Sequence, residues 1–173
     1  MSVLLFSGGR GNRTLLESIS SDIVGKFPKL KVVVNGLDDG ASTGAIRELF
    51  DNKMHGISDF LKVGVAMSPD TLLKRVIETR IPLLESINDQ LYFSKNLHDF
   101  LFLSNNFYIF DGLKISDSLK KDLKEHILNF LEYIYQQNGV IVNISDFKIG
   151  NIVFASIYIN EDLDFNRALL AFL

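Results

Sequence analysis

The chain opens with an apolar run, Val3-Leu4-Leu5-Phe6, that shows no polar alternation, and a similar run follows at Leu30-Lys31-Val32-Val33-Val34. Runs of this kind suit strands of a parallel sheet covered on both faces. Between them Leu15, Leu16, Ile19, Ile23 and Val24 recur at helical spacing. Asn12 or Thr14 can cap that helix, and Gly25 with Pro28 supplies its stop. The pattern predicts a β–loop–α–β unit complete by residue 34, with a right-handed crossover that makes its strands parallel. Downstream the periodicity turns helical. It predicts helices over Ala45–Phe50, Ser58–Met67, Asp70–Arg80, Leu83–Leu103 and Ser116–Gln137, with extended segments at Phe107–Phe110 and Val140–Val142. The stripe Leu119, Leu123, Ile127, Phe130, Leu131 and Ile134 marks the inner face of the longest helix, Ser116 and Asp117 its caps, and Gly139 its end. Ile149–Tyr158 reads as a buried helix and Leu163–Leu173 as the last one. The class is α/β, with helix-rich middle and C-terminal parts.

Composition narrows the picture. The chain has 173 residues, 47% of them hydrophobic, which fits one domain with an ample core. Eighteen basic against 21 acidic residues leave a net charge of −3, which argues against a protein that coats nucleic acid. There is no cysteine, hence no disulfide framework or thiolate metal site. No apolar stretch approaches the roughly 18–20 residues of a membrane helix, and the N-terminal run lacks the pattern of a secretory signal. No nucleic acid, no membrane and a cytoplasmic location are therefore the expectations. The ending Ala168-Leu169-Leu170-Ala171-Phe172-Leu173 is strongly apolar. It reads as an interior edge that another copy or a partner chain covers; a last helix packed on the core is the alternative.

Candidate chemistry lies in two glycine-rich breaks, each directly after a predicted strand. The first is Ser7-Gly8-Gly9-Arg10-Gly11-Asn12. A strand, small residues and a helix start form a ready anion site. Thr14 stands where a dinucleotide fingerprint has its third glycine, and Asn35 where it has its acid, so a standard NAD site is not expected. The lysine of a P-loop is missing too. What remains is a backbone that can approach an anion, with Arg10 and Arg13 adding charge, or a tight turn that binds nothing. The second break, Asn35 to Gly44, carries Asp38 and Asp39 just past a strand end, then Gly40, Ser42 and Thr43. Adjacent carboxylates there can hold Mg²⁺ or accept ribose hydroxyls, and Ser42 and Thr43 can hold a phosphate at a helix start. The bland alternative is an Asp-Gly turn with Ser42 or Thr43 as helix cap. His55, His98 and His126 show no metal-ligand spacing and read as surface histidines, His126 on the polar side of its helix. No Gly-x-Ser-x-Gly elbow occurs.

Taken in order, Gly-Gly-x-Gly after the first strand and Asp-Asp-Gly-x-Ser-x-Gly after the second resemble the CofD-like family. That family includes 2-phospho-L-lactate transferase and gluconeogenesis factors that bind nucleotide sugars. Ile149-Gly150-Asn151-Ile152-Val153-Phe154-Ala155 is similar to the family's Gly-Asn helix start, and Asp164-Phe165-Asn166-Arg167-Ala168-Leu169 to the stretch after it. The resemblance implies a Rossmann-like three-layer αβα fold with a mostly parallel sheet, of which residues 1–173 form one domain, the N-terminal part of a longer family fold. It implies a nucleotide or nucleotide sugar as partner, with transfer of a phosphorylated group from a nucleoside-diphosphate-linked donor and Mg²⁺ as cofactor. Asp38 and Asp39 would be the catalytic and metal carboxylates. Gly8, Gly9, Arg10, Gly11, Asn12, Ser42, Thr43, Asp59, Gly150 and Asn151 would line the cleft, although a Gly-Asn pair can also serve as a local turn or cap. Two departures stand out. The first loop has Gly8-Gly9-Arg10-Gly11 where the family has Gly-Gly-Gly-Thr-Gly. Gly56 to Lys62 matches a Pro-Gly-Asp-x-Arg-Asn-like motif in which Asp59 persists but Leu61 and Lys62 replace the Arg-Asn pair. These changes, and a length near half the family's, keep two alternatives open: a non-catalytic regulatory or interaction module, and an unrelated α/β domain whose glycine loops are structural turns.

Overall fold

The computed structural model describes residues 3–7, 13–22, 30–37, 40–68, 70–81, 115–138 and 143–172. Two strands and seven helices lie among them: β1 (Val3–Ser7), α1 (Arg13–Asp22), β2 (Leu30–Val34), α2 (Ala41–Leu49), α3 (Ser58–Met67), α4 (Thr71–Glu78), α5 (Asp117–Asn138), α6 (Ile149–Asn160) and α7 (Phe165–Phe172). The protein is mixed α/β, mostly helical, with a small two-stranded parallel sheet. The expected Leu83–Leu103 helix and the segments at 107–110 and 140–142 fall outside the described residues, as do the stops at Gly25, Pro28 and Gly139. The contacts divide the chain into two compact units, 1–74 and 75–173, with the boundary inside α4.

In the first unit β1 and β2 pair in parallel from Val3↔Leu30 to Ser7↔Val34. Side chains alternate across the pair, so Leu4, Phe6, Lys31 and Val33 share one face. That face is open: Leu4 is 55%, Phe6 69% and Val33 44% exposed. Among the described residues the sheet has two strands, which present little width for a layer to cover. The core of this unit is helical instead. Leu16 of α1, Ile46 of α2, Leu61, Val65 and Ala66 of α3, and the connecting Phe50, Met54 and Ile57 are buried. Leu15, placed on the inner stripe by its spacing, turns outward.

Helix α2 begins at Ala41, four residues earlier than the periodicity predicts, with Gly40 as N-cap. Its other end is a Schellman motif. The Asn52 N–H donates to Arg47 O at 2.8 Å and the Asp51 N–H to Glu48 O at 3.1 Å. Asp51 takes φ 53° and Asn52 φ 58°, the left-handed geometry such an ending requires. The Arg47 Nε–H donates to Met54 O at 3.0 Å and ties the following loop back to the helix.

In the second unit α5 and α6 pack side by side, and α7 packs on α6. Leu123, Ile127, Phe130 and Ile134 bury the expected stripe of α5, and Ser116 caps it by accepting the Leu119 N–H at 3.2 Å. Every residue of α6 from Ile149 to Ser156 is buried, as its apolar sequence predicts. Phe154 meets Phe165 and Phe172 of α7 at ring-centroid distances of 5.4 and 5.9 Å. One face of the apolar C-terminal helix thus packs on α6, while Leu170 is 78% exposed. The turn between α6 and α7 repeats the α2 ending: the Leu163 N–H donates to Tyr158 O and the Asp162 N–H to Ile159 O, both residues with φ near +60°.

The start of α6 is fixed by a short antiparallel pairing. The Ile81 N–H donates to Phe147 O, the Asp146 N–H to Ile81 O and the Ile149 N–H to Thr79 O, at 2.9–3.0 Å. Arg80 adds a fork: its Nη1 reaches Asp146 O at 2.7 Å and Asp146 Oδ2 at 2.9 Å. No helix among the described residues is long and apolar enough to cross a membrane.

Candidate functional site

A parallel pair sends both chain exits to one edge. Ser7 ends β1 directly beside Val34 of β2, and the Asn35 N–H still donates to Ser7 O at 3.3 Å. Both glycine-rich stretches therefore leave the sheet side by side. Gly8, Gly9, Arg10, Gly11 and Asn12 of the first, and Asp38 and Asp39 of the second, lie outside the described residues. The second stretch is described on either side of its two aspartates. Asn35 Oδ1 accepts the Leu37 N–H at 3.0 Å, a local turn that bends the chain off the strand. Gly36 O accepts the Gly56 N–H at 2.8 Å, which pins this turn to the segment leading into α3.

At Gly40 the chain enters α2. The Thr43 and Gly44 N–H groups converge on Gly40 O at 2.7 and 2.9 Å. No side chain caps the helix, so neither Ser42 nor Thr43 plays the cap role that the bland reading assigns. Both sit inside the first turn, Ser42 buried and Thr43 2% exposed.

Asp59 occupies the first turn of α3, next to Phe60, whose ring edge lies 3.9 Å from where a Cβ on Gly36 would stand. This brings the start of α3 against the second loop. The Asp59 carboxylate is only 4% exposed. Lys62, one turn on, donates from Nζ to its Oδ1 at 2.5 Å, while Leu61 is buried in the core. The Leu-Lys pair thus has a local meaning: the leucine packs and the lysine neutralises a buried acid, which burial would otherwise make costly. An acid in a first turn also meets the positive end of the helix.

Gly150 and Asn151 lie in the second unit, in the first turn of α6, both buried. Lys148 is the N-cap and makes no side-chain cap. Asn151 is therefore neither a cap nor a turn residue; its side chain lies inside the fold. Among the described residues no group of three or more His, Asp and Glu side chains is arranged to hold a metal.

The histidines divide. His55 is exposed, and His98 lies outside the described residues. His126 departs from the surface reading: it is half-buried and its Nδ1 stands 3.1 Å from Ser156 Oγ. The sequence carried a signal for this in the polar Ser156 and Asn160, set four apart on a mostly apolar helix. Set against protein-family models, curated proteins and solved structures, the chain matches none.

Proposed function

We propose that the chain binds a nucleotide or nucleotide sugar at the edge where β1 and β2 end, as a divergent CofD-like protein. One observation carries this reading: two glycine-rich stretches leave parallel strands at the same edge, and α2 begins there. Ligands of α/β sheets bind at the carboxyl ends of the strands, where helix N-termini and close backbone approach favour phosphate. A Rossmann-like three-layer fold belongs to the same proposal, with β1–α1–β2 as its first unit.

In this reading the backbone of Gly8 to Asn12 and the first turn of α2, with Ser42 and Thr43, approach the phosphates, and Arg10 adds positive charge. Asp38 and Asp39 accept ribose hydroxyls or hold Mg²⁺; a pair of adjacent carboxylates is a hard oxygen donor set that fits this ion. Bound Mg²⁺ would neutralise phosphate charge. Gly150 and Asn151 enter through the resemblance alone. Transfer of a phosphorylated group from a nucleoside-diphosphate-linked donor is the activity this site would support, mainly by positioning and charge neutralisation. A second reading, a binding or regulatory module without turnover, is favoured by the Lys62–Asp59 ion pair and by Leu61 in the core.

Thermal unfolding with GDP and UDP-sugars, with and without Mg²⁺, tests binding. A ligand at 100 times its Kd adds about 2.7 kcal/mol of stability. The expected result is a rise in Tm that is lost in the Asp38→Asn, Asp39→Asn double variant. No shift with any nucleotide overturns the proposal. A shift without turnover of a nucleoside-diphosphate-linked donor selects the module.

A further inference from the structure

The chain leaves β2 through Asn35-Gly36-Leu37. Asn35 is exposed, and its Oδ1 accepts the Leu37 N–H at 3.0 Å. The main chain is anchored on both sides of the Asn-Gly pair. The Asn35 N–H donates to Ser7 O at 3.3 Å, and Gly36 O accepts the Gly56 N–H at 2.8 Å. The peptide unit between these anchors is different. Among the described residues no hydrogen bond engages the Asn35 carbonyl or the Gly36 N–H. This unit can therefore turn between its anchors without giving up a hydrogen bond.

The glycine is not explained by backbone shape or by space. Gly36 lies outside the left-handed region, and a Cβ on it would meet His55 Cβ, His55 Cγ and Phe60 Cε2 at 3.8–3.9 Å, ordinary contact distances. What the bare Cα does change is access to its own nitrogen. In this setting that nitrogen is next to an exposed side-chain amide, the most labile kind of asparagine environment.

We infer that Asn35 is a site of intramolecular deamidation, in which the Gly36 nitrogen attacks the Asn35 side-chain amide and leaves a carboxylate at the end of β2. The Gly36 nitrogen gives its proton to water and bonds to Asn35 Cγ. Negative charge then develops on Oδ1. The Leu37 N–H already points at that oxygen, as a donor to a developing oxyanion must. Nδ2 takes up a proton, its bond to Cγ breaks, and ammonia leaves. The succinimide that remains holds the Gly36 nitrogen between Cγ and the Asn35 main-chain carbon. Water opens this ring. Cleavage at Cγ gives an aspartyl residue. Cleavage at the main-chain carbon gives an isoaspartyl residue, with the chain running on through Cβ and Cγ. The sum is one water consumed and one ammonia released. Either product adds a negative charge shortly before Asp38 and Asp39 in the sequence, and the isoaspartyl form lengthens the chain between the two anchors. The inference does not depend on what this edge binds.

Tryptic mass mapping of the full chain, aged at neutral pH, tests the inference. The peptide Val32–Arg47 contains Asn35 as its one amide side chain, so an amide-to-acid mass gain there reports this residue. The peptide should convert in the folded chain at least as fast as in the same chain held in guanidinium chloride, because the fold leaves the peptide unit free and adds the Leu37 donor. Aspartyl and isoaspartyl forms should both appear. In folded Gly36→Ala the conversion should be at least about tenfold slower, a barrier about 1.4 kcal/mol higher, since a Cβ crowds the attacking nitrogen. Slower conversion in the folded than in the unfolded wild type overturns the inference, and so does equal conversion in wild type and Gly36→Ala. Should the variant fail to fold, the folded and unfolded wild type decide between them, and a product without the isoaspartyl form overturns attack by Gly36.

Discussion

The strand β1 and the helix α6 are both strongly apolar segments, yet they sit in opposite surroundings. Among the described residues β1 has one strand beside it, and Leu4 and Phe6 are exposed. α6 has α5 on one side, α7 on another, and a backbone pairing at its start; Phe154 at its middle is fully buried. Apolar content alone states what a segment gains by being covered. The covering depends on how many neighbours the fold supplies, and two strands supply few. The two units consequently draw on different resources: the first on a helical core around Ile46 and Ile57, the second on helix-to-helix packing around Phe130 and Phe154.

This contrast can be broken by substitution. Phe154→Ala should have the largest effect, about 3–5 kcal/mol of lost stability, because it empties a site between α6 and two rings of α7. Urea unfolding checks it; a loss below about 1 kcal/mol would mean that α7 is not seated on α6. Leu4→Thr should cost under about 1 kcal/mol in the same assay, since much of the side chain is already in water and threonine suits a strand. A loss as large as that of Phe154→Ala would show that the open face is covered in solution. The smallest change should be a gain. Asp51→Gly relieves a left-handed residue at the end of α2, and its exposed ion pair with Lys53 contributes little. A rise of about 0.5–1 kcal/mol is expected, and a fall would contradict the Schellman ending.

Much of this fold is legible in the sequence where the signal is periodic. Helix α3 matches its predicted bounds, and α5 and its cap Ser116 follow from the apolar stripe and the serine before it. Endings without glycine are harder. Asp51-Asn52 and Asp162-Leu163 close α2 and α6 in left-handed geometry, yet only the Asp and Asn residues give a hint, and Leu163 gives none. The pairing of residues 79–81 with 146–149 is too short to show alternation. The early start of α2 escapes because Ala41-Ser42-Thr43-Gly44 reads as loop until Gly40 is known to cap it.

The candidate site divides in the same way. Its strand ends and the glycine-rich break after β2 follow from the β–loop–α pattern, whereas the helix start at Gly40 does not. The pairing of Asp59 with Lys62 becomes plain only from the i,i+3 geometry of α3. The role of Asn151 cannot be read from a dipeptide, because the same Gly-Asn pair serves turns, caps and buried helix starts alike.

The central proposal is that the edge shared by β1 and β2 receives a nucleoside diphosphate. Backbone NMR shifts of the full chain, titrated with GDP and Mg²⁺, test it most directly. Saturable shifts are expected at residues 7–12 and 35–44. A titration that leaves both stretches unchanged would contradict it.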